Sequence, residues 1–456
     1  MCYQKNDNLS PTNPTSHQKG NLKHIKKHTI KEIVEKFFVP YTKSSRRNLF
    51  LEDKHFHAIN NIRKCRTKEL GYTLYACEDC GEAHYIYRSC GHRFCPTCGI
   101  INTNKWAAKT LANLLNIKHH HVVVTLPAWL RPIARRNNKL IYSMLFKASW
   151  LVIKNWFKYK YNIEPGVISV LHTAGSDLKY HPHIHMIVTG GGINHDNNNN
   201  NNDLQLLEGD YLFDHKWFRG RFRWEFQQLL IKAFDKNELK LPYHLEKRPF
   251  FLAFIKKNNK KDKYGWIVSV QAPLQDASSI VKYVGRYTKR ACLSEYKIQA
   301  IERDFISFNY NDYKNTPKGE KPKIATIKLH YAQFFDRLLL HVPDKGSRNV
   351  RYYGIYSTSK MKHLPEKLKA NRVNHLQNVN NQELELPSFE GDWESYRLEH
   401  FKIYGKDPLS CQYCKRPLTY IHTILPFHRK QSQNQKTNQT MTKMNRNKAP
   451  VFDDDS

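Results

Sequence analysis

"GVISVLHTAGSDLKYHPHIHMIVTGGG", residues 166–192, holds two apolar runs on either side of a short polar stretch. The pattern predicts two strands, 166–175 and 183–192, joined by a turn. Side chains alternate between the faces of a strand, so His183 and His185 share one face while Ile184 takes the other. His181 has the same parity, but Pro182 cannot donate to a ladder and interrupts regular pairing there. One face of this strand suits a divalent metal, and the other suits a core. His172, Asp177, His181 and Gln271 are the candidates for a third ligand, with His181 and His172 placed first by their nearness in the hairpin.

Around this hairpin, strands are expected at 119–127 ("HHHVVVTLP") and 264–273. Helices are expected at 102–117, 138–161, 214–234 and 276–293, the last with Asp276 as N-cap. A strand passing into a helix is expected over 324–342. A helix from Ile30 is predicted to stop at Pro40, and the basic stretch 43–70 reads as mostly helical. Strands alternating with helices, with one hairpin, predict an α+β fold with a mainly antiparallel sheet covered by helices. The asparagine tract 195–203 reads as a loop insertion, and no internal repeat is found.

The chain has 456 residues, 40% of them hydrophobic, and a net charge of +34 from 74 basic and 40 acidic side chains. Such composition excludes a wholly disordered chain, and the charge predicts a polyanionic partner, nucleic acid, held less tightly as salt rises. No run of about 18 apolar residues predicts a transmembrane helix. The first twenty residues have no apolar core of the kind a secretory signal carries.

Cysteines fall in close pairs, which fits metal ligation in a reducing cytoplasm better than a disulfide framework. Cys77-x-x-Cys80 and Cys95-x-x-Cys98 are two pairs of zinc-ligand spacing, with Cys90 between them. The expected ligands are Cys77, Cys80, Cys95 and Cys98, and Cys90, His84 or His92 can replace one of them. Four protein ligands leave no open position, so this zinc is structural. Cys411-x-x-Cys414 stands by itself in the sequence, as half of a second site or as two free thiols.

"KYVGRYTKR", 282–290, puts Tyr283 and Tyr287 four apart, on one face of a helix. Lys282, Arg286, Lys289 and Arg290 surround them. Positive charge favours the phenolate and stabilises a phosphoryl group under attack, so these phenols are candidate nucleophiles and the four cations candidate DNA contacts.

A His-hydrophobic-His strand followed by a two-tyrosine helix resembles the HUH single-strand endonucleases. Over residues 50 to 355 the chain resembles, more closely, the two-tyrosine rolling-circle transposases of the insertion sequence 91 type. The likeness rests on "YACEDCGEAHYIYRSCGHRFCPTC", "HHVVVTLPAWLRP", "SVLHTAGSDLKYHPHIHMIVTGGGI", "IVKYVGRYTKRACL" and "FFDRLLLHVPDKGSRNVRYYGIYS". It implies an HUH endonuclease-type domain behind an N-terminal zinc-binding module. It implies Mg²⁺ or Mn²⁺ on His183 and His185, with Tyr283 or Tyr287 as nucleophile. The reaction implied is nicking and rejoining of single-stranded DNA at element ends through a 5′-phosphotyrosyl link, in a cytoplasmic, nucleoid-associated bacterial protein.

On this reading the chain divides into a disordered tail (1–22), a helical and zinc-binding module (23–112), a catalytic domain (113–345), a C-terminal region (346–425) and a basic disordered tail (426–456). Two other readings share parts of the pattern. A replication initiator or relaxase uses the same chemistry, although no G-x-x-x-x-G-K-[ST] loop of a replicative helicase is present. A zinc-module DNA-binding protein without catalysis would keep the charge and the cysteines.

Overall fold

The computed structural model describes residues 28–43, 51–194, 204–209, 212–261, 265–271, 292–313, 315–317, 320–364, 368, 397 and 407–426. Expectations for residues 1–22, the asparagine tract, the helix over 276–291 and the basic tail from 427 lie outside them. So do Lys282, Tyr283, Arg286, Tyr287, Lys289 and Arg290.

In chain order the elements begin α1 (Ile30–Lys43), α2 (Asp53–Lys64), β1 (Tyr72–Ala76), β2 (Ala83–Tyr87), α3 (Pro96–Leu111) and β3 (His119–Thr125). There follow α4 (Arg131–Arg136), α5 (Asn138–Tyr161), β4 (Ile163–Ala174), β5 (Tyr180–Asn194), β6 (Leu204–Leu206), α6 (His215–Asp235), α7 (Arg248–Lys261) and β7 (Val268–Val270). The last are β8 (Ile298–Glu302), β9 (Phe305–Asp312), β10 (Lys323–His330), α8 (Tyr331–Leu338), β11 (Val350–Gly354), α9 (Thr358–Lys362) and β12 (Thr419–Ile424). The chain divides into two units, Met1–Arg63 with Cys90–Leu384, and Lys64–Ser89 with Glu385–Ser456.

The first unit is built on a sheet of order β11-β4-β5-β3-β7, with β6 also paired to β5. Every pair in it is antiparallel. Alternation gives the sheet two faces. Val122 and Val124, Val167 and Leu171, and Ile184, Met186 and Val188 enter one core with α5 and α6. Helix α6 meets it with Phe218, Phe222, Phe226 and Leu230, a stripe at i, i+4 spacing, and Asp214 caps it by accepting from the Trp217 amide at 2.7 Å. The opposite face carries Ile168, Val170 and Ile187 at one end, packed under Leu114, Leu115 and Tyr356. At its other end the same parity brings histidines. Glycines allow strands to approach at the end of β5: a Cβ on Gly191 or Gly192 would fall 2.4 Å from the carbonyl oxygen of Gln205 or Glu164. A second, three-stranded antiparallel sheet runs β10-β9-β8.

The second unit centres on β1, which pairs with β2 on one edge and β12 on the other. Its buried apolar cluster is small: Tyr75, Cys77, Leu409, Cys411 and Leu418.

Three local expectations need correction. Helix α1 does not stop at Pro40 but continues to Lys43. Proline in the last turn forfeits one backbone bond, and Tyr41 holds that turn by packing its ring at a tilt against Phe335 (5.1 Å between centroids) and donating to Asp336 Oδ1 (3.0 Å). Helix α3 starts at Pro96, not 102, because Cys95 and Pro96 form a helix N-terminus with proline in the first turn. It ends at Leu111, and of the strand expected over 264–273 the described residues, 265–271, hold Val268–Val270 as strand.

His119 of β3 is fully buried. Its Nδ1 lies 2.8 Å from the Ile117 carbonyl and so donates, leaving Nε2 to accept from Tyr356 Oη at 2.7 Å. Burial pushes its pKa down from 6.5 to about 4. The unfolded chain therefore binds a proton that the folded chain does not, and stability falls as pH drops from about 6.5 to about 4. The His119 contribution to that slope is roughly 1.4 kcal/mol per pH unit. Urea unfolding of His119→Gln from pH 7.5 to 4 is expected to show lower stability at neutral pH and an acid slope shallower by one proton; an unchanged slope refutes the assignment.

Candidate functional site

In the β4–β5 ladder His172 sits directly opposite His183, and Val170 opposite His185. On the other side β3 sets Thr125 against His183 and Val123 against His185. This register places His172, His183 and His185 on one face, with ligand nitrogens all within 4.8 Å of one another. His172 Nδ1 is 3.4 Å from His183 Nε2. His183 and His185 are only 9% and 5% exposed, so few waters compete for their lone pairs.

Neighbouring groups settle the tautomers. His183 Nδ1 is 2.6 Å from the His181 carbonyl, to which it donates, so Nε2 carries the lone pair. His185 Nδ1 is 3.0 Å from His121 Nε2, and His121 Nδ1 is 2.8 Å from Gln271 Oε1. A proton on His185 Nδ1 and another on His121 Nδ1 satisfy both bonds in sequence. This again leaves Nε2 of His185 toward the cluster, the orientation that outer partners impose on metal-binding imidazoles. The Gln271 amide in turn donates to the His121 carbonyl at 2.9 Å, fixing the end of β7 beside this relay.

All three rings are neutral at pH 7. Burial, opposed by the bond to the His181 carbonyl and assisted by Arg131 and His121, pushes His183 down to about 4. Burial first, and the neighbouring imidazoles second, hold His172 and His185 well below the usual range. Neutral, converging imidazoles with open positions beyond them fit one divalent metal; the donor set suits several such ions.

The candidates for third ligand part company here. His172 joins the pair. His181 does not belong to the group, and its Nδ1 takes the Arg131 guanidinium at 2.6 Å. The reason is a bulge: β4 advances from His172 to Ala174 while β5 goes back from His183 to Tyr180, one residue more. The extra residue takes His181 out of the row. Asp177 pairs with Lys179 at 2.8 Å. Gln271 acts through His121, which sequence reading did not single out. The run His119–His121 was visible as a strand, but which of its members faces His185 depends on the β3–β5 register.

The cysteines group differently from the expected quartet. Cys77 and Cys80 lie with Cys411 and Cys414 in the second unit. In the first unit Cys95 and Cys98 lie with Cys90, whose Sγ is 3.6 Å from that of Cys98. Cys95 is the N-cap of α3 and Cys98 is in its first turn. His92 Nδ1 accepts from the Phe94 amide at 3.1 Å, and His84 Nε2 lies 3.4 Å from Cys411 Sγ.

Comparison with known proteins gives the family. A family described as "Transposase zinc-binding domain" matches residues 33–126, and one described as "Putative transposase" matches 166–363, which includes all three histidines. The chain belongs to the insertion sequence 91-type transposases. It is 29% identical over 355 residues to "Putative transposase y4qJ" of Sinorhizobium fredii, covering 77% of this chain and 85% of that protein. It is 25% identical over 314 residues to the transposase for insertion sequence element IS801 of Pseudomonas savastanoi pv. phaseolicola, covering 67% and 70%. No solved structure matches. As a transposase it acts on DNA, and it carries a structural zinc-binding domain. Among the described residues no helix is long and apolar enough to cross a membrane.

If the trio binds a divalent ion, Mn²⁺ raises the thermal midpoint, by about 2.7 kcal/mol of stability at a hundredfold excess over Kd. The rise is expected to be flattened in His172→Ala, His183→Ala and His185→Ala and kept in His181→Ala. A full response in His172→Ala would remove that residue from the site.

Proposed function

We propose that this transposase nicks and rejoins single-stranded DNA at insertion-sequence ends by tyrosine attack beside an HUH-type metal site. The observation that carries the reading is the neutral cluster of half-buried His172 with buried His183 and His185 on the sheet face, next to the strand end at Gln271. Tyr283 and Tyr287 follow Gln271 by 12 and 16 residues in the sequence. A bound Mg²⁺ or Mn²⁺ would polarise a non-bridging oxygen of the scissile phosphate.

The phenolate oxygen of Tyr283 or Tyr287 forms a bond to phosphorus, and the bond to the 3′-oxygen breaks. That oxygen takes up a proton and leaves as a 3′-hydroxyl, while the 5′ side stays linked to tyrosine. The link conserves the bond for rejoining to a new 3′-hydroxyl, and two tyrosines let one hold an end while the other attacks the next junction. Lys282, Arg286, Lys289 and Arg290 lower the phenol's proton affinity and hold the strand's phosphates. Arg131, beside His181, adds a guanidinium near the histidines. The net charge of +34 supplies strand binding that weakens with salt. Such a protein acts in the cytoplasm, on the nucleoid.

The test is a denaturing gel of the purified chain with labelled single-stranded DNA from the element's ends and Mg²⁺ or Mn²⁺. A metal-dependent covalent band is expected. It should vanish in the double Tyr283→Phe/Tyr287→Phe variant and fall on the order of a hundredfold in His183→Ala/His185→Ala. Whichever single Tyr→Phe variant abolishes the first adduct identifies the leading nucleophile. Binding without any adduct under either metal would rule out this chemistry for the chain.

A further inference from the structure

Cys77, Cys80, Cys411 and Cys414 bring their sulfur atoms within 4.8 Å of one another. Cys77 Sγ is 3.3 Å from Cys414 Sγ, and Cys80 Sγ is 3.6 Å from Cys411 Sγ. Zinc–thiolate bonds of about 2.3 Å make a tetrahedron with edges of roughly 3.8 Å, close to these separations. Disulfide sulfurs stand about 2.0 Å apart, and all four cysteines are free thiols here.

The backbone repeats one design at both pairs. The Cys77 amide donates to the Glu82 carbonyl (3.0 Å) and the Gly81 amide to the Cys77 carbonyl (2.8 Å). The Cys411 amide likewise donates to the Arg416 carbonyl (2.8 Å) and the Lys415 amide to the Cys411 carbonyl (3.0 Å). The residue after the second cysteine is left-handed in each, Gly81 at φ +71° and Lys415 at φ +63°. Glycine takes that conformation freely, whereas lysine adopts it only where its surroundings require it. Two such knuckles, each aiming a Cys-x-x-Cys pair at the other, have the geometry of a zinc ribbon, with β2, β1 and β12 as its sheet. His84 Nε2, 3.4 Å from Cys411 Sγ, is placed to donate to a charged sulfur.

We propose that these four thiolates hold a structural zinc ion of their own, which locks the segment of Cys411 and Cys414 onto the β1–β2 hairpin. Among the described residues the apolar cluster around it has five buried members, Cys77 and Cys411 among them, and a closed four-thiolate site would add cross-links to that core. The zinc-binding family match ends at residue 126 and leaves Cys411 and Cys414 outside. The inference does not depend on the strand-transfer chemistry above.

The experiment uses the full chain, purified in zinc-supplemented buffer. Its thiols are alkylated in a time course and read by peptide mass spectrometry, before and after a chelator. Cys80 and Cys414 have exposed side chains and as free thiols would react first. Bound to zinc they are expected to react roughly tenfold more slowly or less, metal-held thiolates being poor nucleophiles. After chelation all four become reactive together. Zinc content, measured in parallel, is expected to fall by one equivalent per chain in Cys411→Ser/Cys414→Ser. Rapid alkylation of Cys80 and Cys414 in folded, zinc-loaded wild type overturns the proposal, as does a double variant with undiminished zinc. If that variant does not fold, the wild-type alkylation pattern decides by itself.

Discussion

Strand alternation along β5 keeps two incompatible demands apart. Ile184, Met186 and Val188 need the apolar core under α5 and α6, and His183 and His185 need a polar partner set. A slip of one residue would bury imidazoles among Phe218 and Phe222 and set three large aliphatic side chains where His172 and His121 need polar partners. The register is therefore held from both sides, by β4 and by β3. The same pairing that protects the core brings His172 and His121 to the histidines. Core and site are two readings of one ladder.

Much of this was legible in the residues. The hairpin, the strand of His119–Thr125, the helix over 138–161 and the helix before Asp235 all carry strong periodicity, and the structure has them. His183 and His185 were legible because a period of two needs no knowledge of neighbours. His172 and His121 needed the register, which no local pattern states. His181 was misled by parity, since a bulge at Pro182 changes the count. Strand β10 keeps Ile324 largely exposed, so its alternation does not mark a core face clearly. Cysteine spacing pointed to the nearest pair, whereas Cys80 finds Cys411 a distance of 331 residues along the chain.

The electrostatics follow from burial within a basic protein. Each imidazole of the cluster is kept neutral by desolvation, and Arg131 reinforces that for His181 and His183. A cation that discourages protonation of histidine also attracts a phosphate. The positive surroundings thus favour free imidazole lone pairs at neutral pH.

The pairing of β1 with both β2 and β12 also sets a timetable for synthesis. At roughly 5–20 residues per second, a ribosome needs on the order of 20–60 s to travel from Cys80 to Cys411. Through that interval β1 has a hairpin partner on one edge and bare amides and carbonyls on the other. The nascent chain must keep that edge from foreign strands until its own arrives. A message cut short before residue 411 would yield a protein with its histidines intact and this sheet permanently open.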